Sequence, residues 1–287
     1  MLRVATRGSA LARWQAGHVA DLLRAVHAGL VVEEVIVETA GDRNREAPIS
    51  AIGGRGVFTK EVQAAVLDGR ADLAVHSAKD LPSSLELQPD GLVIGAVPQR
   101  ADARDALVGA ALDDIAPGGT IATGSARRRV QLADRRPDLT FAELRGNVDT
   151  RIAKAPQFAA VVIAKAALDR LGRADVIAEV LEPAVMVPQV AQGALAVECR
   201  PEHASLLAAI EHGPSRRCVD AERSWLATLG GGCDLPAGAH ATLADDGSMR
   251  LRAVLSSPDG RIVLRDENDG DGVALAQRML AAAEAFA

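Results

Sequence analysis

Residues 2–39, "LRVATRGSALARWQAGHVADLLRAVHAGLVVEEVIVET", decide the fold. The pattern predicts a strand in LRVAT, a helix that Ser9 can cap and that ends near Gly29, and a second strand in LVVEEVIVET. The apolar face of this helix is predicted to hold Leu11, Trp14, Leu22 and Val26. A strand, a helix and a strand in this order are typical of the unit that builds parallel sheets, so the stretch predicts an α/β fold.

The same alternation continues along the chain and then restarts. A helix in KEVQAAVLDG, which Thr59 can cap, precedes the short strands DLAVHS and LVIGAV. After a turn-rich stretch at residues 97–105, the strands GTIAT, TFAEL and AAVVIA alternate with the helix SARRRVQLADRR and with a helix after Asn147. We therefore expect two similar α/β halves with mostly parallel sheets.

The C-terminal part of the chain has a different pattern. From about residue 238, AHATLADDGSMRLRAVLSSPDGRIVLRDE predicts three alternating strands with Asp-Gly turns, and VALAQRMLAAAEAF predicts a closing helix. This part should form a small α+β domain.

Composition excludes several classes of protein. The chain of 287 residues is 48% apolar, which is ordinary for a folded protein of two or three domains. Aromatic residues make up 2% and the net charge is −6, so neither a base-stacking surface nor a general affinity for nucleic acid or anionic membrane is expected. The N-terminus lacks a signal-peptide pattern, and no long apolar run suggests a membrane span, which predicts a cytoplasmic protein.

Basic residues recur in the turns that follow predicted strands, where open α/β sheets place their ligands. They are Arg7, Arg55, Lys79, Arg127, Arg128, Arg145 and Arg151. Any one of these could belong to a solvated basic face, but their repetition at strand ends favours a ligand with several carboxylates or phosphates. In ATGSARRR the arginines open a helix, whose N-terminus also favours an anion. No GxxxxGK[ST] motif is present, which excludes a Walker-type nucleotide site.

Acidic and sulfur-bearing residues leave alternatives open. In HSAKDLP, Asp80 is either a turn carboxylate or an ionised acid beside a cationic intermediate, and His76 is expected to be a core or supporting residue. Three cysteines without CxxC spacing argue against disulfides and structural zinc. Cys199 and Cys218 should be inert core thiols. Cys233, in LGGGCDLPAG, is either a loop residue or a covalent attachment point or nucleophile.

Seven segments, in order from about residue 2 to residue 265, resemble the porphobilinogen deaminase family. They are ATRGSALARWQA, GGRGVFTKE, ADLAVHSAKDLP, TGSARRRVQLADRRPDL, LRGNVDTR, VPQVAQGALAVECR and LGGGCDLPAG. The resemblance implies a transferase that joins four porphobilinogen molecules into hydroxymethylbilane and releases ammonia at each step. It also implies a dipyrromethane cofactor, held by a thioether to the cysteine that matches Cys233.

The resemblance also assigns roles to individual residues, with no metal site. The implied catalytic residues are Asp80 and Lys79. The implied cofactor-binding residues are Cys233, Ser9, Ser77, Lys79, Asp80, Ser125, Arg127, Arg128 and Arg145. The implied substrate-binding residues are Arg7, Arg55, Arg145, Arg151, Arg170 and Gln192. Relatives often have lysine at the position of Arg55, and some have a further lysine where this chain has Ala51, so an indispensable role for that loop is not expected.

The family fold implies two lobes like those of periplasmic binding proteins and a small α+β C-terminal domain. The implied domains are residues 1–96 with 194–213, residues 97–193, and residues 214–287. A monomer is expected that binds porphobilinogen and the growing oligopyrrole and passes its product to uroporphyrinogen III synthase. The alternative is a non-catalytic two-lobed protein that binds a polycarboxylate, which would leave Cys233 and Asp80 without a role.

Overall fold

The computed structural model describes residues 1–43, 59–84, 87–230 and 235–284. The strands are β1 (Leu2–Arg7), β2 (Val32–Val37), β3 (Leu73–Ser77), β4 (Val93–Ala96), β5 (Asp105–Gly109), β6 (Thr120–Ala122), β7 (Thr140–Ala142), β8 (Ala160–Ala164), β9 (Ile177–Leu181), β10 (Leu195–Cys199), β11 (Ala237–Leu243), β12 (Met249–Ser256) and β13 (Val263–Asn268). The helices are α1 (Ala10–Val26), α2 (Ala40–Arg43), α3 (Lys60–Leu67), α4 (Ala126–Arg135), α5 (Val148–Lys154), α6 (Lys165–Arg170), α7 (Ala204–Leu207), α8 (Gly213–Thr228) and α9 (Gly272–Glu284). Within the described ranges, no helix is both long and apolar enough to cross a bilayer.

The chain divides into two compact units. The first comprises Met1–Ala101 and Ala194–Arg217, and the second comprises Asp102–Gly193 and Cys218–Ala287. The C-terminal residues thus belong to the second unit in this division. The three-domain boundaries expected from the sequence stay a prediction.

The first unit contains a five-stranded sheet in the order β2-β1-β3-β10-β4. β1 is parallel to β2 and β3, as the opening strand–helix–strand pattern predicts. β10 is antiparallel to both β3 and β4. The parallel strands β1 and β3 therefore end at the same edge of the sheet at which β10 begins.

The second unit repeats this arrangement with a sheet in the order β7-β6-β8-β5-β9. β6 is parallel to β7 and β8, whereas β5 is antiparallel to β8 and β9. In each unit the fourth position is occupied by the strand that follows a crossing from the other unit, β5 in the second unit and β10 in the first. The α/β prediction is confirmed, and both sheets are mixed because this strand runs against its neighbours.

Alternation along the strands builds a core on each face of both sheets. In the first unit, Val4 faces one apolar cluster with residues of α1, and its neighbour Ala5 faces a second cluster with residues of α3. In the second unit, Leu107 and Ala106 divide in the same way between two clusters. Since side chains of a strand alternate between faces, these continuous apolar strands need helices on both sides.

The buried face of α1 differs from the predicted face. Its side chains against the sheet are Ala16, Val19, Ala20 and Leu23. Trp14 and Val26, which were predicted to be buried, are 40% and 48% exposed. Trp14 instead stacks on His18 with ring centroids 5.1 Å apart. Leu22, also in the predicted set, is half-buried and packs against the core. Both residue sets have helical spacing, so apolar character alone did not identify the most buried face.

The C-terminal strands form a separate antiparallel sheet in the order β11-β12-β13. Leu251 and Ala253 of β12 are fully buried, and Leu275 and Met279 of α9 are buried as well. The predicted small α+β arrangement of strands and closing helix is confirmed.

We predict that Leu23→Ala lowers the free energy of unfolding by about 2–5 kcal/mol, because Leu23 is fully buried between α1 and the first sheet and truncation leaves a cavity. Urea denaturation followed by circular dichroism measures this loss. The matched control is Leu67→Ala, since Leu67 is 42% exposed. Equal losses in the two variants would contradict the burial described here.

Candidate functional site

A pocket in the first unit lies where β1 and β3 end. Its polar lining consists of Arg7, Ser9, Gln15, Thr59, His76, Ser77 and Asp80. Arg7 is the last residue of β1 and Ser77 is the last residue of β3. Because these strands are parallel neighbours, their carboxyl ends bring the two residues to one edge of the sheet.

Ser9 and the turn that carries Asp80 are fixed by backbone hydrogen bonds. The Ser9 hydroxyl accepts a bond of 3.3 Å from the Ala12 N–H and so caps α1. A short 3₁₀ turn at Ala78–Asp80 follows β3 directly. The Ala78 N–H donates to the Ala194 carbonyl over 3.0 Å, next to the pairing of Ser77 with Leu195. The start of β10 therefore sets the position of the turn.

Within the described residues, the Asp80 carboxylate forms neither a hydrogen bond nor an ion pair. Asp80 is half-buried and lines the pocket. Lys79 is half-buried next to it. The alternative interpretation of Asp80 as a carboxylate that stabilises its own turn is therefore not supported by its contacts.

Gln15 is a pocket residue that sequence reasoning missed. Its side chain is 3% exposed, and its amide donates to the Ser77 hydroxyl over 2.9 Å. Gln15 precedes Ala16 on the buried face of α1. A polar residue at such a position was the available signal, because a buried amide needs a partner.

A second polar cluster lies behind this pocket. Glu198 of β10 is buried and accepts bonds of 3.2 and 2.9 Å from the Gln63 amide of α3. His76 is also buried, as predicted, and its Nε2 lies 3.0 Å from Glu198 Oε2 without the alignment of a hydrogen bond. Glu198, an acid inside the apolar strand LAVEC, was the signal that sequence reasoning overlooked.

In the second unit, Ser125 caps α4, and the two arginines that follow are buried. The Ser125 hydroxyl accepts from the Arg128 N–H over 3.4 Å. Arg127 and Arg128 are only 4% and 7% exposed. Both guanidiniums bind the carboxylate of Asp105, so each already has an anionic partner inside the protein, and their expected role in cofactor binding stays a prediction.

The buried pair of cations shares one anion. Burial by itself would raise the pKa of Asp105, but the charges of Arg127 and Arg128 and their hydrogen bonds lower that pKa well below its usual value. Burial also lowers the pKa of Arg127, although Asp105 opposes this effect. Two guanidiniums against one carboxylate leave a net positive charge inside the unit.

Arg145 and Arg151 extend this positive region. Arg151 donates to the Gly146 carbonyl over 2.9 Å, and neither arginine has an acidic partner among the residues that the structure describes. Burial, followed by repulsion from Arg128 and Arg145, lowers the pKa of Arg151 to about 10. The ion stays charged at neutral pH, so a bound anion would relieve the repulsion.

Arg170 and Gln192 make hydrogen bonds at the segments by which the chain enters and leaves the second unit. Arg170 donates to the Gly193 carbonyl over 2.7 Å, and burial lowers its pKa to about 10. The buried Gln192 amide donates to the Ala103 carbonyl and to Asp105. Their predicted role in substrate binding stays a prediction, and their observed contacts are within the protein.

Two of the three cysteines lie in the described part of the chain. Cys199 and Cys218 are buried, and burial raises the pKa of Cys199 to about 11, so both are core thiols as expected. Cys233, Arg55 and Ala51 lie outside the described residues. Within the ranges that the structure covers, no cluster of His, Cys, Asp and Glu could hold a metal ion.

Comparisons with known proteins agree over nearly the whole chain. Residues 2–208 match the family model "Porphobilinogen deaminase, dipyromethane cofactor binding domain", and residues 216–282 match "Porphobilinogen deaminase, C-terminal domain". A porphobilinogen deaminase of Nitratidesulfovibrio vulgaris strain Miyazaki F is 44% identical over 277 residues, covering 94% of this chain and 86% of that protein. The protein of the same name from strain Hildenborough is 44% identical over 280 residues, covering 94% and 88%.

Solved structures of binding proteins are more distant. A nutrient binding protein from Burkholderia cenocepacia bound to methionine has a TM-score of 0.44 at 11% identity and covers 79% of this chain and 95% of that one. The methionine binding protein MetQ has a TM-score of 0.41 at 12% identity, covering 78% and 89%. Both TM-scores are low, and the fold is established by the sheet order and register described above.

We predict that Asp105→Asn makes stability less sensitive to acid. Because the pKa of Asp105 is lowered in the folded state, its stabilisation is present above its unfolded pKa of about 3.9 and is lost as the pH falls through the folded value. Urea unfolding at a series of pH values from neutral to about 2.5 measures the effect. The variant should cost about 3–5 kcal/mol at neutral pH, and less at the acid end.

The control for this prediction is Asp138→Asn, which removes the carboxylate of a surface pair with Arg136. Exposed pairs contribute at most about 1 kcal/mol, so this variant should lose little stability at any pH. An Asp105 variant that follows the wild-type pH curve in parallel would contradict a lowered pKa at that residue.

Proposed function

The chain belongs to the porphobilinogen deaminase family, and we propose from this premise how its side chains perform the family's reaction. The protein is a hydroxymethylbilane synthase, a transferase of tetrapyrrole biosynthesis that joins four porphobilinogen molecules and releases ammonia. The roles of individual residues below are our proposal. The observation that carries it is a cationic cluster in one unit and a lone carboxylate in the pocket of the other.

The cationic cluster fits the chemistry of the substrate. Each pyrrole carries an acetate and a propionate, so a chain of pyrroles accumulates negative charge with every addition. Arg145 and Arg151 have no acidic partner among the described residues, and Arg128 adds to their mutual repulsion. Carboxylates match guanidiniums in charge and in hydrogen-bond geometry. These arginines are therefore proposed to bind the carboxylates of the cofactor and substrate.

The dipyrromethane cofactor fits the same residues. The buried Nε of Arg127 has no hydrogen-bond partner within the described chain, and Arg145 is half-buried without an acid. We propose that Ser125, Arg127, Arg128 and Arg145 hold the cofactor's carboxylates and that Cys233 holds it through a thioether. When bound, the cofactor supplies the free pyrrole carbon to which the first substrate is joined.

Asp80 is proposed as the catalytic carboxylate. Loss of ammonia from porphobilinogen leaves a positive charge delocalised onto the pyrrole nitrogen, and formation of the new bond requires a proton to leave. An ionised acid with no partner among the described residues can stabilise that charge and accept an N–H hydrogen bond. Its fixed turn keeps the carboxylate in place during each addition, so little reorganisation is needed.

The neighbouring pocket residues position the substrate in this proposal. Arg7 in the pocket, and Lys79 next to Asp80 in the chain, supply positive charge for the acetate and propionate groups, and Ser9 and Ser77 supply hydroxyls. Gln15 fixes the Ser77 hydroxyl through its buried hydrogen bond. Besides Arg145 and Arg151, the residues Arg55, Arg170 and Gln192 are proposed to bind substrate on the family pattern alone. The finer expectations of a cytoplasmic monomer and of product transfer to uroporphyrinogen III synthase remain part of this proposal.

We predict that Asp80→Asn reduces kcat by about 10²- to 10⁴-fold, because the amide has the size of the carboxylate but cannot stabilise positive charge. Ammonia release from porphobilinogen measures turnover, and circular dichroism checks the fold. Asp90→Asn is the matched control, since Asp90 is exposed in the same unit. Near-normal turnover by the Asp80 variant would remove that residue from catalysis.

We also predict that the purified protein carries a covalent adduct of two pyrrole units and that Cys233→Ser lacks it. Intact-mass spectrometry measures the adduct directly. Cys218→Ser is the control, because that thiol is buried and should leave the adduct in place. A wild-type protein without the adduct, even after incubation with porphobilinogen, would favour a non-catalytic protein that binds a polycarboxylate.

A further inference from the structure

Sequence reasoning missed Asp105, although this residue organises the interior of the second unit. It is the first residue of β5 and is fully buried. Its Oδ2 accepts from Arg127 Nη2 over 2.8 Å. Its Oδ1 accepts from Arg128 Nε and Nη2 over 3.1 and 2.7 Å, and from the Gln192 amide over 2.9 Å. Three side chains thus converge on one carboxylate.

Both guanidiniums are also held from a second side. Arg127 Nη1 donates to the Val187 carbonyl over 2.6 Å, and Arg128 Nη1 donates to the Val162 carbonyl over 3.0 Å. Each guanidinium is planar and rigid, so bonds at two sides fix its orientation. One N–H on each terminal nitrogen of Arg128 remains without a partner among the described residues. The two remaining N–H groups of Arg128 therefore point in directions that its other hydrogen bonds fix.

The sheet explains why Asp105 reaches these arginines. β5 is antiparallel to β8, and Asp105 pairs with Ala164 at the end of β8. β6 is parallel to β8 and leads into α4, where the arginines lie. The start of β5 therefore lies at the same edge as the start of α4. Without this carboxylate, two like charges would be buried together, which is strongly unfavourable.

We propose that Asp105 is a positioning residue for the cationic site of the second unit. It fixes Arg127 and Arg128 so that the carboxylates of a bound pyrrole meet guanidinium groups already oriented for them. The single negative charge of Asp105 compensates one of the two guanidiniums and leaves the other to balance the ligand. The proposal rests on the proposed function, since carboxylated pyrroles are the ligand class that it assigns to this site.

The experiment compares Asp105→Asn with Asp102→Asn. Asp102 lies in the same segment, but its half-buried carboxylate pairs with Arg104 and makes a longer contact of 3.9 Å with Lys165. For the folded, soluble fraction of each variant, intact mass gives the fraction with the two-pyrrole adduct. Steady-state kinetics with porphobilinogen separates KM from kcat per loaded molecule.

For Asp105→Asn we expect a smaller adduct fraction and a KM for porphobilinogen that rises roughly 10- to 100-fold, with a smaller change in kcat. Asp102→Asn should match the wild type in all three quantities. A purely structural role would lower the melting temperature of Asp105→Asn and leave the adduct fraction and KM of its folded molecules unchanged. That result would overturn the proposal.

If Asp105→Asn does not fold, the variant Asp105→Glu tests whether Asp105 positions the arginines. It keeps the charge that the buried arginines need, but its extra methylene displaces the carboxylate, so it should fold and show a raised KM and a reduced adduct fraction. Wild-type values in folded Asp105→Glu would overturn the proposal. A wild-type protein that neither carries the adduct nor consumes porphobilinogen would instead refute the proposed function, and this inference with it.

Discussion

The requirement that buried charge be compensated governs the second unit. Two guanidiniums in its interior depend on the single carboxylate of Asp105, and removal of that partner would leave like charges in a region that excludes water. Since the compensation is incomplete, a positive charge remains next to Arg145 and Arg151. The same imbalance that would cost stability in an empty site favours a ligand with several carboxylates. Structure and proposed function thus share one electrostatic cause.

The first unit also contains a buried acid on the fourth strand of its sheet, but its proposed functional residue is a carboxylate instead of a group of arginines. The strand on which the chain returns to this unit, β10, also lies in the fourth position of the sheet and also contributes a buried acid, Glu198. Glu198 binds Gln63 and lies against His76, behind the pocket that contains Asp80. Asp80 itself stays without a partner among the described residues. Each unit therefore has a buried acid on the strand that follows a crossing from the other unit, Asp105 on β5 and Glu198 on β10.

Local patterns in the sequence were sufficient to predict most helices and strands and part of the candidate site. The serines at helix starts, the charged residues after strands, and the C-terminal strands and helix all follow from propensities over a few residues. The buried face of α1 does not follow from local propensities. Two residue sets on this helix have helical spacing, and only the sheet decides which of them is most deeply buried against it. The exposed Trp14 and the buried Gln15 are both consequences of that choice.

By itself, then, the sequence determined an α/β fold, a family and a group of arginines suited to carboxylates. Only the tertiary structure decided which of those arginines already have partners inside the protein. Asp105 and Arg127 are 22 residues apart in the chain, and they meet because β5 and the start of α4 share one edge of the sheet. Local spacing carries no information about such a meeting, since it depends on strand order and direction. Charge compensation, which acts through space, is therefore fixed only when the sheet has formed.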